Sequence, residues 1–123
     1  MALSEFNQNI SFQDWLDNEN NVMYEEDGSV GLATFEYNGC YTVHWFFNEE
    51  TRGRKALNLA GRMLGEIFNR GAQIVRGVTP EKLRGARWAC RQIGMTSQGL
   101  MEFSNGPHEV FTMTKEEYNG RCR

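Results

Sequence analysis

The chain has 123 residues, 40% of them hydrophobic and 24% charged, with a formal net charge of −3; that length suffices for one hydrophobic core, and no apolar run approaches the roughly 18 residues of a membrane helix. Cys40, Cys90 and Cys122 are odd in number, far apart and without a Cys-x-x-Cys pair, which indicates neither a disulfide framework nor a zinc site and makes free thiols the expectation. The first nine residues contain no basic residue and lead into no apolar stretch, so the expectation is a single cytoplasmic domain over 1–123 without a secretion signal.

Residues 1–20 are expected to form an N-terminal helical segment, because Ile10, Phe12, Trp15 and Leu16 recur near helical spacing behind Ser11 as a plausible N-cap. A brief strand is expected over 22–25. Asp27-Gly28 and Asn38-Gly39 are hairpin signals that bracket a strand over 30–37 and lead into another over 41–47, an antiparallel meander. The run Tyr41-Thr42-Val43-His44-Trp45-Phe46-Phe47 is β-branched or aromatic almost throughout, as expected of a central strand covered on both faces. From Arg52 the period changes to three and four residues (Ala56, Leu57, Ala60, Met63, Leu64, Ile67, Phe68), and Asn69-Arg70-Gly71 stops it, which predicts a long amphipathic helix.

A short strand over 74–78 follows. Thr79 then reads as the N-cap and Pro80 as the first residue of a second helix that buries Leu83, Ala86, Ala89 or Cys90, and Ile93, with Gly94 as terminator. Strands over 98–103 and 110–114, joined through Asn105-Gly106-Pro107, close the order, and 116–123 reads as a flexible tail. The strands at 41–47 and 74–78 are separated by a helical crossover and should be parallel within an otherwise antiparallel sheet. Charge is segregated along this order. The first 50 residues hold ten acids and no Lys or Arg, whereas 52–91 hold ten of the 13 basic residues against only Glu66 and Glu81. Such a segment is either an anion-binding surface or one half of an internal electrostatic balance.

The order α-β-β-β-α-β-α-β-β, over roughly residues 20–115, resembles the GNAT N-acetyltransferase fold, and in its brevity the small bacteriophage-encoded proteins of that kind. Phe47-Asn48-Glu49-Glu50-Thr51-Arg52-Gly53-Arg54 resembles the end of the family's central strand and the start of its cofactor loop, Arg/Gln-x-x-Gly-x-Gly/Ala, with Arg52 and Gly53 matching; Ala86 followed by Gly94-Met95 is similar to the ending of the family's last helix. Lys55 and Leu57 stand where the family has small residues, Leu83 where it often has Asn, and Cys90 where many members have a tyrosine that protonates the departing thiolate. The resemblance implies an α/β (α+β) domain with a mixed, mostly antiparallel sheet, a central parallel pair and flanking helices. It also implies acetyl-CoA as cofactor and an amine, small molecule or protein, as acceptor. Arg52, Gly53, Arg54, Lys55 and Ala56 would hold the pyrophosphate at the helix start, and a backbone N–H near Phe46 or Phe47 would polarise the thioester carbonyl. A second reading is a catalytically degenerate GNAT-fold phage protein acting by contact with phage or host proteins or with a second copy of itself.

His44, on the strand face shared with Thr42 and Phe46, is a candidate general base; a strand histidine is as readily a hydrogen-bonded core residue. Glu36 is a comparable base acting through a water, or simply a half-exposed strand residue. Cys90 offers a weak acid, while its helical phase places it in packing. His108, beside Pro107, reads as a turn residue. Trp15, Trp45, Phe46, Phe47 and Trp88 together with Arg84, Arg87 and Arg91 would supply a nucleic-acid contact, which a sequence pI of about 5.4 argues against.

Overall fold

The two hairpin signals and the crossover set the sheet. The computed structural model describes residues 12–26, 28–47 and 53–121; they form α1 (Phe12–Asp17), β1 (Val22–Glu26), β2 (Ser29–Tyr37), β3 (Cys40–Phe46), α2 (Arg54–Asn69), β4 (Ile74–Pro80), α3 (Arg84–Gln92), β5 (Thr96–Phe103), β6 (Gly106–Thr114) and α4 (Lys115–Arg121). The six strands lie in the order β1-β2-β3-β4-β6-β5. Every neighbouring pair is antiparallel except β3 with β4, the pair joined through α2. This is the GNAT architecture, with a mixed, mostly antiparallel sheet around a central parallel pair.

Helix α2 turns one stripe inward, burying Ala56, Leu59, Ala60, Met63, Leu64, Ile67 and Phe68. These residues join Tyr41, Val43, Val75, Phe111 and Met113 of the sheet in one core cluster, and burial of such side chains is worth roughly 1.5–3 kcal/mol each. Close approach needs Gly31, where a Cβ would lie 2.0 Å from the Met63 Sδ; that sulfur accepts a hydrogen bond from Trp45 Nε1 at 3.0 Å. Helix α3 covers the same face, burying Cys90 in the same core cluster, and Met95 just beyond it reaches Gly77, where a Cβ would meet its Cε at 3.6 Å. The opposite face is covered in part by α1, whose Trp15 is buried and donates from Nε1 to Thr34 Oγ1 at 2.9 Å.

Part of the segregated charge is balanced internally. Arg62 pairs with Glu26, and Arg76 Nη2 lies 3.7 Å from Glu36 Oε2, so the acidic and basic stretches meet across the fold. Arg87 and Arg91 both pair with Glu109. Two of the three α3 arginines are therefore engaged by a buried carboxylate rather than left as a free basic face.

Four expectations need correction. Strand β4 runs through Thr79 and Pro80, which pair with Glu109 and His108; Leu83, not Thr79, caps α3. Leu83 and Ala86 are exposed rather than in the core, which receives Cys90 and Ile93. His108 belongs to β6 and is buried, because that strand begins at Gly106 and not at 110. Residues 116–121, read as tail, lie in α4, where Tyr118 stacks on Phe68 with ring centroids 5.0 Å apart. Ser11 and Cys122 lie outside the described residues.

Candidate functional site

Strands β3 and β4 pair from Cys40 with Ile74 to Val43 with Gly77 and no further, although β3 continues to Phe46 and β4 to Pro80. Each strand keeps its outer neighbour over this stretch, β2 for β3 and β6 for β4. The two therefore diverge, and alternate backbone N–H and C=O groups of the divergent segments turn toward the gap rather than to each other. The gap opens into a cavity of about 440 Å³.

Alternation along β3 and β4 assigns the walls. Thr42, His44, Arg76 and Val78 lie on the face away from α2 and α3; Leu83, Ala86, Ala89 and Cys90 close the cavity from α3. The apolar stripe of α3 thus faces the cavity, which leaves Leu83 50% exposed. Glu36, His44, Phe46, Phe47 and Cys90, all proposed from the sequence, share this one cavity. Arg76 and His108 line it too. The sequence signal for Arg76 was its alternation with Val75 and Gly77, which sends it to the face opposite the core.

The electrostatics separate these groups. Burial first, then the nearby charges of Arg76 and His108, push the His44 imidazole down to about 4; it is neutral at physiological pH. Thr42 Oγ1 donates to Glu36 Oε2 at 2.9 Å, the oxygen that Arg76 approaches. Burial raises the Cys90 thiol to about 11, against a smaller lowering from the Thr79 hydroxyl 3.8 Å away. Behind this wall the buried carboxylate of Glu109 accepts from Arg87 Nε at 2.6 Å, Arg91 Nη2 at 2.5 Å and Ser97 Oγ at 2.5 Å. Burial alone would raise its pKa, but Ser97 and the two guanidiniums prevail and hold it below the ordinary carboxylate value. One carboxylate so fixes α3 to β5 and β6.

The mouth of α2 lies at Gly53, with φ 57° and ψ −127°, a left-handed conformation that favours glycine. The first intrahelical bond runs from the Leu57 N–H to the Gly53 carbonyl at 3.1 Å. The N–H groups of Arg54, Lys55 and Ala56 precede the ladder, and no described side chain caps them. No described carboxylate forms an ion pair with Arg54 or Lys55, and two cations in a first turn oppose the helix dipole. Leu57 packs against the core, so its bulk is directed away from the mouth. Arg52 lies outside the described residues, and Gly53, Arg54, Lys55 and Ala56 are not among the residues lining the cavity.

No family model matches the chain, and no curated protein matches it either. Solved structures do. The chain is similar to the aminoglycoside acetyltransferase AAC(6')-Ib in complex with coenzyme A, at TM-score 0.72 and 16% identity over 88% of this chain and 74% of that one. It is similar to a variant of the spermidine N-acetyltransferase SpeG from Vibrio cholerae, at TM-score 0.77 and 12% identity over 91% and 74%. It is likewise similar to a probable GNAT-family acetyltransferase from Chromobacterium violaceum, at 0.73 and 16% over 87% and 63%. At these identities the likeness shows the fold.

Proposed function

We propose that the protein is an acetyl-CoA-dependent N-acyltransferase that delivers its acyl group to a primary amine. The observation that carries this reading is the unpaired, divergent end of β3 and β4 above a cavity that reaches both faces of the sheet. Structures with the same fold contain coenzyme A or acetyl-CoA, and the residues here fit that molecule. The edges of β3 and β4 can receive an amide-bearing arm as an added strand. The helix N–H groups with Arg54 and Lys55 can hold a pyrophosphate and relieve their own unfavourable placement.

In this reaction the amine lone pair bonds to the thioester carbonyl carbon, the carbon–sulfur bond breaks, the nitrogen gives up a proton and the sulfur gains one. A backbone N–H near Phe46 or Phe47 would stabilise the charge on the carbonyl oxygen. His44 is poorly matched to deprotonating an alkylammonium ion, whose pKa near 10 lies about six units above its own. It would instead orient the amine once that has lost its proton, with the alternative base Glu36 on the same wall. Cys90 would contribute a wall.

The test is a thermal-shift and calorimetric titration with acetyl-CoA. Ligand at about 100 times its Kd should stabilise the fold by about 2.7 kcal/mol. The Arg54→Glu/Lys55→Glu double variant should lose at least ~10-fold in affinity, as removal of two charge-assisted contacts implies, with a urea midpoint that does not fall, since acids in a first turn suit the helix dipole. No stabilisation at millimolar acetyl-CoA sinks the proposal.

A further inference from the structure

The wall of the cavity on the face away from α2 and α3 carries an unusual balance of charge. Among the described lining residues Glu36 is the one carboxylate, and it is already engaged by Thr42 and approached by Arg76. Against it stands one guanidinium, and the two histidines of the wall, His44 and His108, add no second acid. A polyamine entering this wall would bring several ammonium groups to a single, partly satisfied acid. Each remaining ammonium would then lose water without gaining a partner, which costs more than it returns.

Arg76 points the other way. Its contact with Glu36, at 3.7 Å, is an ion pair outside hydrogen-bond distance, and its side chain is 46% exposed. A guanidinium has five N–H donors and suits a bidentate carboxylate, and Arg76 keeps donors for one. The surrounding wall is apolar: Phe46, Val78 and Pro80, with Phe103 edge-on to His108 at 5.0 Å between ring centroids.

Building on the acyl-transfer reading, we infer that the acceptor is an amino acid with an apolar side chain, its carboxylate held by Arg76, its ammonium first met by Glu36 and its side chain lodged against Phe46 and Phe103. Charge alternates along the wall as it does along the acceptor, with Glu36 and Arg76 adjacent as the amine and carboxylate are adjacent. His44, neutral at physiological pH, sets no further cation against the incoming ammonium. The ammonium form enters, loses one proton to solvent, attacks as the amine, and leaves as the N-acetyl amino acid with free coenzyme A thiol.

The experiment uses the full chain with acetyl-CoA and measures thiol release. Acceptors are L-phenylalanine and L-leucine, then phenethylamine and isoamylamine, which keep the apolar body and lack the carboxylate, and spermidine. Absence of any acetyl-CoA binding defeats the acyl-transfer reading itself. With acetyl-CoA bound, kcat/KM for the amino acids should exceed that for the carboxylate-free amines and for spermidine by at least ~10-fold, the scale of one charge-assisted contact. The difference should lie mainly in KM. Arg76→Gln should collapse the ratio, and Arg76→Lys should restore part of it. Equal rates with and without the carboxylate, faster transfer to spermidine, or no transfer to either amino acid overturns the inference. Compared at equal free-base concentration of each amine, the wild-type ratio decides the matter even where an Arg76 variant does not fold.

Discussion

The two ends of the β3 and β4 pair use the same backbone for opposite purposes. From Cys40 to Val43 the strands are hydrogen-bonded in parallel, and their inward side chains are sealed by α2; Val43 is 2% exposed and Val75 is fully buried. From the next residue, over His44 to Phe46 and Val78 to Pro80, the pairing has ended and side chains of mixed character surround a cavity. The difference teaches where such a fold can tolerate unmade hydrogen bonds. The closed end and the outer strands hold the divergent segments in place, so their backbone edges stay available for a ligand without unravelling the sheet.

The largest effect should come from deleting core at the closed end. Phe111, fully buried and opposite Gly77, should cost about 3–5 kcal/mol when replaced by Ala, read as a lower urea midpoint. Phe46→Ala at the open end should cost under about 1.5 kcal/mol, since Phe46 is only half-buried, but should weaken acetyl-CoA. Equal stability losses at the two sites would erase the distinction between the ends.

Acid should act selectively on the open end. Folding lowers the His44 pKa from 6.5 to about 4, so between those values the unfolded chain binds a proton that the folded chain refuses. Stability from this group is complete above pH 6.5 and falls as pH drops toward 4, by at most about 3 kcal/mol. His44→Gln should flatten that part of the stability profile. Glu109, whose folded pKa is lowered, should lose its contribution only at lower pH, as it protonates. Glu109→Gln should then cost about 2 kcal/mol at neutral pH. Its signature is a loosened α3, with faster amide exchange in that helix and little change in α2.

These residues also show what the sequence could and could not carry. The strands, the long helix and the parallel pair followed from local signals: hairpin dipeptides, a switch of period, and a crossover. Glu36, His44, Phe46, Phe47 and Cys90 were all marked, and the fold places them around one cavity. Local signals failed where the deciding partner is remote in sequence. Pro80 resembles a helix start, yet its strand is extended by pairing with His108, 28 residues on. Leu83 and Ala86 share the helical phase of core residues, but the divergence of the strands below them leaves a cavity there instead. Arg87 and Arg91 looked like a surface until Glu109 arrived from β6.

The smallest effect should fall on Cys90, and it separates wall from acid at the open end. Where the resemblance to GNAT proteins would put a proton-donating tyrosine, Cys90 offers a thiol that is 3% exposed and raised to about 11. That lies about 2.5 units above an ordinary cysteine thiol, so proton transfer from Cys90 to a thiolate of ordinary acidity runs uphill by about 3 kcal/mol, and such a thiolate can depart as the anion and take its proton from buffer afterwards. Cys90→Ala should therefore lower stability by about 1–2 kcal/mol through lost packing and change kcat less than ~3-fold, below the 10²-fold scale on which general acids act. A kcat loss of that larger size, with the acetyl-CoA Kd unchanged and the pH profile shifted, would instead make Cys90 the proton donor and move the divergent end's chemistry onto α3.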